Sequence, residues 1–313
     1  MPEHTIPPTL VDHIRAGRAT LVIGVGIGGI PSWKQILERM NDALRERGRP
    51  GDDAASRDVD KLLHKASLVR AAGFLGRTLG EEACDAIVKQ AWGNIRELPP
   101  IALALARLPF KQVWTTFPGD VFERAMNAEL PEEWPAPRVV TWERAGDIDR
   151  RRRALLKILG DFDSYVVTPR STRAMLSKAD ALREHVRGQY AKGSLIFVGF
   201  RFGDPDLAAL LDRVFGMFEP PETDHYLVAS GVGPVTLDEL QSEHDMKVIN
   251  LPGKGTDDRA TEALLEWMGE LERVCADAGV HLRQTRPDDD DLEGWIAVIE
   301  EDAHDLEAAE KLA

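Results

Sequence analysis

The sequence holds only two cysteines, Cys84 and Cys275, among its 313 residues. They lie far apart and form no CxxC pair, which excludes a structural zinc site built on paired cysteines. We therefore predict that the chain binds no metal. We interpret both cysteines as buried or idle thiols.

Basic residues are in the minority: 39 Lys and Arg stand against 53 Asp and Glu, and the formal net charge is −14. An excess of negative charge opposes binding to phosphate backbones. The one basic run, residues 150–153, is flanked by Asp147, Asp149, Asp161 and Asp163. We predict that this chain alone does not bind nucleic acid, unless a local basic patch forms in the fold.

Long apolar runs are also missing. The longest, residues 20–30 and 101–110, fall short of the roughly 20 residues that span a bilayer, and Gly, Arg or Pro interrupts each. Residues 1–9 lack the basic region and apolar core of a secretory signal. We predict a cytoplasmic protein without a membrane segment.

The distribution of apolar residues predicts an α/β fold. Residues 20–24 form an apolar run ending in glycine, the pattern of a buried parallel strand, whereas residues 32–108 are helical in pattern. Beyond residue 108, strand and helix patterns alternate. We predict a doubly wound, mostly parallel Rossmann-like sheet with a helical insertion, residues 32–108, after the first strand. The other predicted strands cover residues 112–116, 138–142, 155–159, 165–168, 194–199, 225–229 and 247–251. The predicted helices cover residues 10–16, 32–46, 56–75, 81–92, 99–107, 121–127, 173–190, 205–218, 237–242 and 257–276.

Composition predicts one domain boundary. Residues 286–291 contain four adjacent aspartates, which repel one another and are typical of a solvated linker. We predict a domain over residues 1–285 and a helical hairpin over residues 292–313. A lone hairpin buries little surface, so it is interpreted as the possible start of a helical-repeat region in a longer protein.

A glycine-rich loop follows the first predicted strand. GVGIGG, residues 24–29, matches GxGxxG, whose backbone amides can approach a pyrophosphate at a helix N-terminus. A dehydrogenase would place a second strand ending in an acid about twenty residues later, where this sequence predicts helices. The dehydrogenase hypothesis therefore ranks third. A glycine turn that only packs strand against helix is the alternative interpretation.

Four segments together are more specific than the loop. They are GVGIGGIPSW (24–33), VWTT (113–116) with Asp120 and Glu123, KILGD (157–161) and IFVGFRFGDPD (196–206). Their order and spacing over residues 20–276 resemble the bacterial sirtuin-like family, in which the segments contain Gly-Ala-Gly-x-Ser, Thr-Thr-Asn, Lys-Ile-His-Gly and Val-Gly-Phe-Ser. The chain is thus similar to an NAD-binding family.

The resemblance implies a set of binding residues for NAD or ADP-ribose. The loop glycines would hold the pyrophosphate, Gly199 would allow the ribose to approach, and Asn250 would recognise adenosine. Arg201 would grip phosphate oxygens or instead pair with Asp204 or Asp206. Gly199 and Asn250 also have simpler interpretations, as a packing position and the start of a turn. The implied binding residues are Gly24, Gly26, Gly28, Gly29, Thr116, Gly199, Arg201, Asp204 and Asn250.

The family's two catalytic side chains are replaced in this sequence. Phe117 stands at the family's Asn position and Leu159 at its His position. Losing a general base typically costs a factor of roughly 10² to 10⁴ in rate. Asp120, Asp161 and Asp204 are the candidate substitutes, provided that burial raises a carboxyl pKa toward neutrality. His185, His225 and His244 are predicted to lie away from this end of the sheet. Trp33 and Trp114 are interpreted as core residues.

Two functional hypotheses follow from the resemblance. The first is a nucleotide-binding module without NAD hydrolysis, which senses or assembles within a bacterial defence or signalling protein. The second is an active NAD-hydrolysing effector of antiphage defence. The missing zinc cysteines argue against a protein deacylase. The amphipathic helices of the insertion and the terminal hairpin offer surfaces for other domains or for a second copy of the chain.

Overall fold

The computed structural model describes residues 6–65, 67–130, 136–148, 153–165, 174–200, 221–254 and 257–280, together with residues 204, 207 and 210. The strands are Ala19–Ile23 (β1), Gln112–Thr115 (β2), Arg138–Thr141 (β3), Ala154–Lys157 (β4), Ser194–Val198 (β5), His225–Ser230 (β6) and Met246–Leu251 (β7). They form one seven-stranded sheet in the order β3-β4-β2-β1-β5-β6-β7, in which all neighbouring strands run parallel. The predicted doubly wound α/β fold is confirmed.

The helices within the described ranges are Pro8–Arg15 (α1), Trp33–Arg47 (α2), Asp52–His64 (α3), Leu68–Leu79 (α4), Glu81–Trp92 (α5), Pro100–Arg107 (α6), Val121–Ala128 (α7), Asp180–Lys192 (α8), Pro234–His244 (α9) and Asp258–Asp277 (α10). A short 3₁₀ helix, Trp142–Asp147, follows β3. None of these helices is both long and apolar enough to cross a membrane.

Two hydrophobic cores cover the two faces of the sheet. Leu21 and Ile23 of β1 point into the core formed with α1 to α7 and α10, while Val22 points into the core formed with α8 and α9. Alternate residues of a strand face opposite sides of a sheet. Because both sides are covered, all five residues of β1 are buried, which explains its uninterrupted apolar sequence.

The helical insertion comprises α2 to α6, which lie between β1 and β2 in the chain. Its first helix starts at a capping box, in which the Ser32 hydroxyl accepts from the Gln35 amide and the Gln35 side chain accepts from the Ser32 amide. The single helix predicted over residues 56–75 was wrong, since α3 ends at His64 and α4 begins at Leu68. Ser67, which precedes α4, is a residue type that favours helix starts.

Other predicted boundaries need correction. Tyr165 is not in a strand, and the rest of the strand predicted over 165–168 lies outside the described residues. The helix predicted over 173–190 is interrupted: residues 174–176 are helical, residues 177–179 are not, and α8 begins at Asp180. Helix α9 begins three residues earlier than predicted because Pro234 suits a first helical turn. Most of the predicted helix 205–218, the linker 286–291 and the hairpin 292–313 also lie outside the described residues.

Candidate functional site

The glycine loop is joined to the end of β5 by backbone hydrogen bonds. The Gly24 amide donates to the Val198 carbonyl at 2.8 Å, and the Gly26 amide donates to the Gly199 carbonyl at 2.6 Å. These bonds continue the pairing of β1 with β5 beyond the sheet. Two of the four amides predicted to hold pyrophosphate are therefore already used within the protein.

Gly24 and Gly199 leave no room for a side chain. A Cβ on Gly24 would lie 2.5 Å from the Gly199 carbonyl oxygen. Gly199 has a φ of +76°, and its Cβ would lie 2.5 Å from Cγ2 of Ile27. The packing interpretation of Gly199 thus has a direct structural basis, and the contacting residue is Ile27.

The second half of the glycine loop faces other elements. A Cβ on Gly28 would lie 3.0 Å from Oγ1 of Thr261 in the first turn of α10. Gly29 has a φ of +85°, and its Cβ would lie 2.9 Å from the side chain of Pro99. Neither the Gly28 nor the Gly29 amide donates a hydrogen bond within the described part of the chain. These two amides remain able to bind an anion.

A cavity of about 270 Å³ lies beside the loop, close to the lower limit of roughly 300 Å³ for small-molecule sites. The cavity opens where the carboxyl ends of β1, β5, β6 and β7 meet the N-termini of α9 and α10. It is next to β1, where the strand order reverses, because β2 lies on one side of β1 and β5 lies on the other. Ligands bind at such switch points in open α/β sheets. The described residues that line it are Gly26, Ile27, Gly28, Ile101, Gly199, Phe200, Leu227, Val228, Ala229, Ser230, Gly231, Val232, Gly233, Thr236, Leu240, Leu251, Ala260, Thr261 and Leu264.

The wall of the cavity is mostly apolar. Ser230, Thr236 and Thr261 supply hydroxyl groups, and no ionisable side chain belongs to the described lining. Such a wall suits a flat, neutral heterocycle with a few hydrogen bonds at its edges. Of the predicted binding residues, Gly26, Gly28 and Gly199 line the cavity.

Asn250 and Thr116 lie close to this edge of the sheet but do not belong to the described lining. The Asn250 side chain accepts from the Val232 amide at 2.9 Å and donates to the Val232 carbonyl at 3.0 Å. Thr116 is fully buried, and its amide donates to the Ile23 carbonyl. Arg201, the predicted phosphate-binding cation, lies outside the described residues.

Phe117, at the family's Asn position, is a core residue. Its ring is fully buried and packs edge-on against Trp92 and Phe122, with centroid separations of 5.5 Å and 5.8 Å. Its amide donates to the Thr115 hydroxyl. The phenyl ring replaces a polar side chain by an apolar contact with α5 and α7.

Leu159, at the family's His position, is buried in the core on the opposite face of the sheet. It follows β4 and precedes Gly160, whose φ of +92° turns the chain toward Ser164. Trp33 and Trp114 are also fully buried, so their interpretation as core residues is confirmed.

The three substitute carboxylates have different surroundings. Asp120 is exposed and pairs with Arg124 at 3.2 Å. Burial alone would raise the pKa of Asp161, but hydrogen bonds from the Asp163 amide and from Ser164 outweigh it and lower that pKa. Asp161 therefore lacks the raised pKa required of a base working near neutrality. Asp204, five positions after Gly199, is buried.

A buried ion pair lies at the ends of β4 and β2, and its role was not predicted. Lys157 forms an ion pair with Glu123 of α7 and donates to the Pro118 carbonyl at 3.1 Å. Both charged residues belong to the segments that resemble the family, but only the fold shows their contact. The pair holds the turn that carries Phe117.

Two histidines, His225 and His185, lie near the amino ends of the strands, at the edge of the sheet opposite the cavity. His225 opens β6, and its Nδ1 accepts from the Leu195 amide, while His185 hydrogen-bonds Gln112 at the start of β2. Burial lowers the pKa of His225 to about 4. No histidine within the described ranges lines the cavity, in agreement with the predicted placement of His185, His225 and His244.

Both cysteines are buried, and burial raises each thiol pKa to about 11. They are therefore protonated, unreactive thiols at neutral pH, as predicted. The described part of the chain contains no group of three side chains suited to a metal ion.

The strands and the cavity define an α/β domain with a ligand crevice at its switch point, and residues 111–249 match the family model of the SIR2-like domain. The resemblance to the bacterial sirtuin-like family is therefore confirmed over these residues. That model includes three of the four segments and leaves out the glycine loop.

Three curated relatives are named NAD(+) hydrolase ThsA. The protein of Acinetobacter baumannii (strain 532279) is 24% identical over 226 residues, which cover 70% of this chain and 44% of the relative. The protein of Bacillus cereus (strain MSX-D12) is 26% identical over 246 residues, which cover 74% and 46%. The Enterococcus faecium protein is 23% identical over 235 residues, which cover 69% and 44%.

The matched region thus covers less than half the length of these relatives. Their names are those of NAD(+) hydrolases, so the comparisons support the hydrolase hypothesis better than the module without hydrolysis. They give no support to a role in sensing.

Proposed function

We propose that this chain binds NAD(+) at the switch-point cavity and hydrolyses it to ADP-ribose and nicotinamide. The observation that carries the proposal is the cavity beside the glycine loop, in a chain homologous to NAD(+) hydrolases. The apolar wall would take the adenine ring. The unoccupied amides of Gly28 and Gly29 would face the pyrophosphate.

In hydrolysis a water oxygen bonds to the ribose carbon that carries nicotinamide, the bond from that carbon to the nicotinamide nitrogen breaks, and neutral nicotinamide leaves. The attacking water loses one proton, which a base must accept. We assign this role to Asp204, a buried carboxylate six residues after the end of β5 that does not belong to the described lining of the cavity. Arg201, three residues earlier, would balance phosphate charge. As in the second hypothesis from the sequence, we propose a role in antiphage defence, within a longer protein.

The test is release of nicotinamide from NAD(+) by the purified full-length protein. Wild type should release nicotinamide above the rate without protein, and Asp204→Asn should lower the rate by roughly 10² or more. Ser230→Trp should fill the cavity and abolish turnover, because Ser230 lines it. Ser242→Trp, at an exposed position of α9, is the matched control and should keep full activity.

A nucleotide-binding module without hydrolysis is the second candidate function. It is favoured by the burial of Phe117 and Leu159 in two apolar cores. If wild type releases no nicotinamide over a long incubation but is stabilised against heat by ADP-ribose, the hydrolase proposal is wrong and this candidate replaces it. A loss of that stabilisation in Ser230→Trp would place the ligand in the cavity.

A further inference from the structure

Both ends of the Asn250 carboxamide form hydrogen bonds with the backbone of one residue, Val232. Oδ1 accepts from the Val232 amide at 2.9 Å and Nδ2 donates to the Val232 carbonyl at 3.0 Å. This pairing imitates the bonds between neighbouring strands, so it fixes both the position and the orientation of the Val232 peptide groups.

Val232 belongs to the loop that joins β6 to α9. The loop residues Gly231, Val232 and Gly233 all line the cavity, whereas Asn250 does not belong to the described lining. Gly233 is also the residue that precedes α9. Because glycine has no side chain, the first amides of this helix have no side-chain cap. Movement of the loop would therefore change the cavity wall and the start of α9 together.

The same loop packs tightly against the segment after β7. Gly231 has a φ of +67°, and a Cβ there would lie 2.6 Å from the Gly253 carbonyl oxygen. Gly253 has a φ of +98°, and its Cβ would lie 2.4 Å from the Ala260 amide nitrogen in α10. The loop, the segment after β7 and the start of α10 are therefore in direct backbone contact. The side chain of Asn250 links the loop to β7.

We propose that Asn250 is a positioning residue, which sets nucleotide affinity by holding Val232 in place and not by contacting the adenosine ribose. The proposal rests on nucleotide binding at the cavity as set out above. It replaces the direct contact that the family resemblance implied for Asn250. Its consequence is that removing the carboxamide weakens every nucleotide that uses the cavity, whichever hydroxyl groups the adenosine ribose carries.

The experiment measures the Kd of ADP-ribose and of its analogues lacking the 2′- or the 3′-hydroxyl of the adenosine ribose, for wild type and Asn250→Ala. We expect Asn250→Ala to weaken all three ligands by about tenfold, within about twofold of one another. A loss confined to the ligands that keep one particular hydroxyl shows direct contact and overturns the proposal. Unchanged affinity also overturns it.

A second measurement follows the loop without any ligand. Hydrogen exchange at the Val232 amide should be faster in Asn250→Ala, because the amide loses its acceptor. Unchanged exchange overturns the proposal. If Asn250→Ala does not fold, Asn250→Asp keeps an acceptor for the Val232 amide and replaces the donor to the Val232 carbonyl by a carboxylate oxygen, and it should again weaken the three ligands equally.

Asn41→Ala is the matched control, because Asn41 is a buried asparagine in α2 that donates to the Ser56 carbonyl and to Asp60. It should lower stability without changing nucleotide affinity. If wild type binds none of the three ligands, the proposed function fails and this inference fails with it. If wild type binds them and the loss in Asn250→Ala depends on the hydroxyl, only the inference fails.

Discussion

At the scale of single residues, the glycine loop performs two separate tasks. Gly24 and Gly26 tie the loop to the end of β5 through their amides, and Gly199 completes that contact with a positive φ. Gly28 lines the cavity, together with Gly26 and Gly199. A motif that holds phosphate in other proteins forms, in this chain, the contact between the ends of two central strands.

Because Gly199 lies in this contact between the ends of β1 and β5, we predict a large loss of stability when it carries a side chain. Gly199→Ala should lower the free energy of unfolding by roughly 2–4 kcal/mol, since an L-residue with positive φ costs about 1–2 kcal/mol and the methyl would overlap Ile27. The measurement is urea unfolding. Gly51→Ala separates the two causes, because Gly51 has a φ of +93° but nothing within 4 Å of its Cβ. Equal losses for both variants would show that the overlap with Ile27 costs nothing.

At the scale of elements, the ion pair of Lys157 and Glu123 joins β4 to α7. The side chain of Lys157 is 7% exposed and that of Glu123 is 23% exposed. Removing one partner of a buried pair leaves the other charge without compensation, which costs more than replacing both.

This asymmetry gives the second stability prediction. Lys157→Met should lower the free energy of unfolding by about 3 kcal/mol, and adding Glu123→Gln should recover most of that loss. Lys61→Met breaks the exposed pair with Asp58 and serves as the control, with no measurable change expected. Additive losses in the double variant would refute a direct coupling between Lys157 and Glu123.

Elements could be predicted from the sequence because their signals are local. The apolar run of β1 and the alternation of strand and helix patterns after residue 108 identify elements without knowledge of their neighbours. Contacts over long separations could not be predicted in this way. Nothing in the sequence places Val232 against Asn250, Glu123 against Lys157 or Ile27 against Gly199, because each contact depends on the order of strands in the sheet. The sequence therefore pointed to the glycine loop, beside which the cavity lies, but it did not give the contacts of each residue.

At the scale of the whole molecule, the two edges of the sheet differ in chemistry. The carboxyl edge carries the cavity, whereas the opposite edge carries the buried His225 and the partly exposed His13. His225 is buried beside Tyr190, with ring centroids 4.7 Å apart, and burial lowers its pKa to about 4. His13, hydrogen-bonded to Ser194, also has a lowered pKa, because of burial and the nearby Arg18.

These histidines predict a loss of stability in mild acid. The unfolded imidazole of His225 titrates near 6.5 and the folded one near 4, so between these values the unfolded chain binds more protons. Stability should fall as pH decreases from about 6.5 to about 4, by on the order of 3 kcal/mol for His225 alone. Urea unfolding at pH 7 and pH 5 measures the part of this loss that falls between the two values, about 2 kcal/mol, and this difference should be smaller in His225→Asn. An equal loss in that variant would exclude His225 as its source.

The order of strands also constrains how the chain reaches this structure. β1 pairs with Gln112–Thr115 on one side and with Ser194–Val198 on the other. During synthesis β1 therefore has no strand to pair with until the insertion and β2 have emerged. It gains its second neighbour, β5, only after residue 198. Contacts of such long sequence separation slow folding and expose apolar strands to aggregation. Helices α2 to α6 are synthesised between β1 and β2. Their early packing against one another would shield β1 from aggregation while the chain is still on the ribosome.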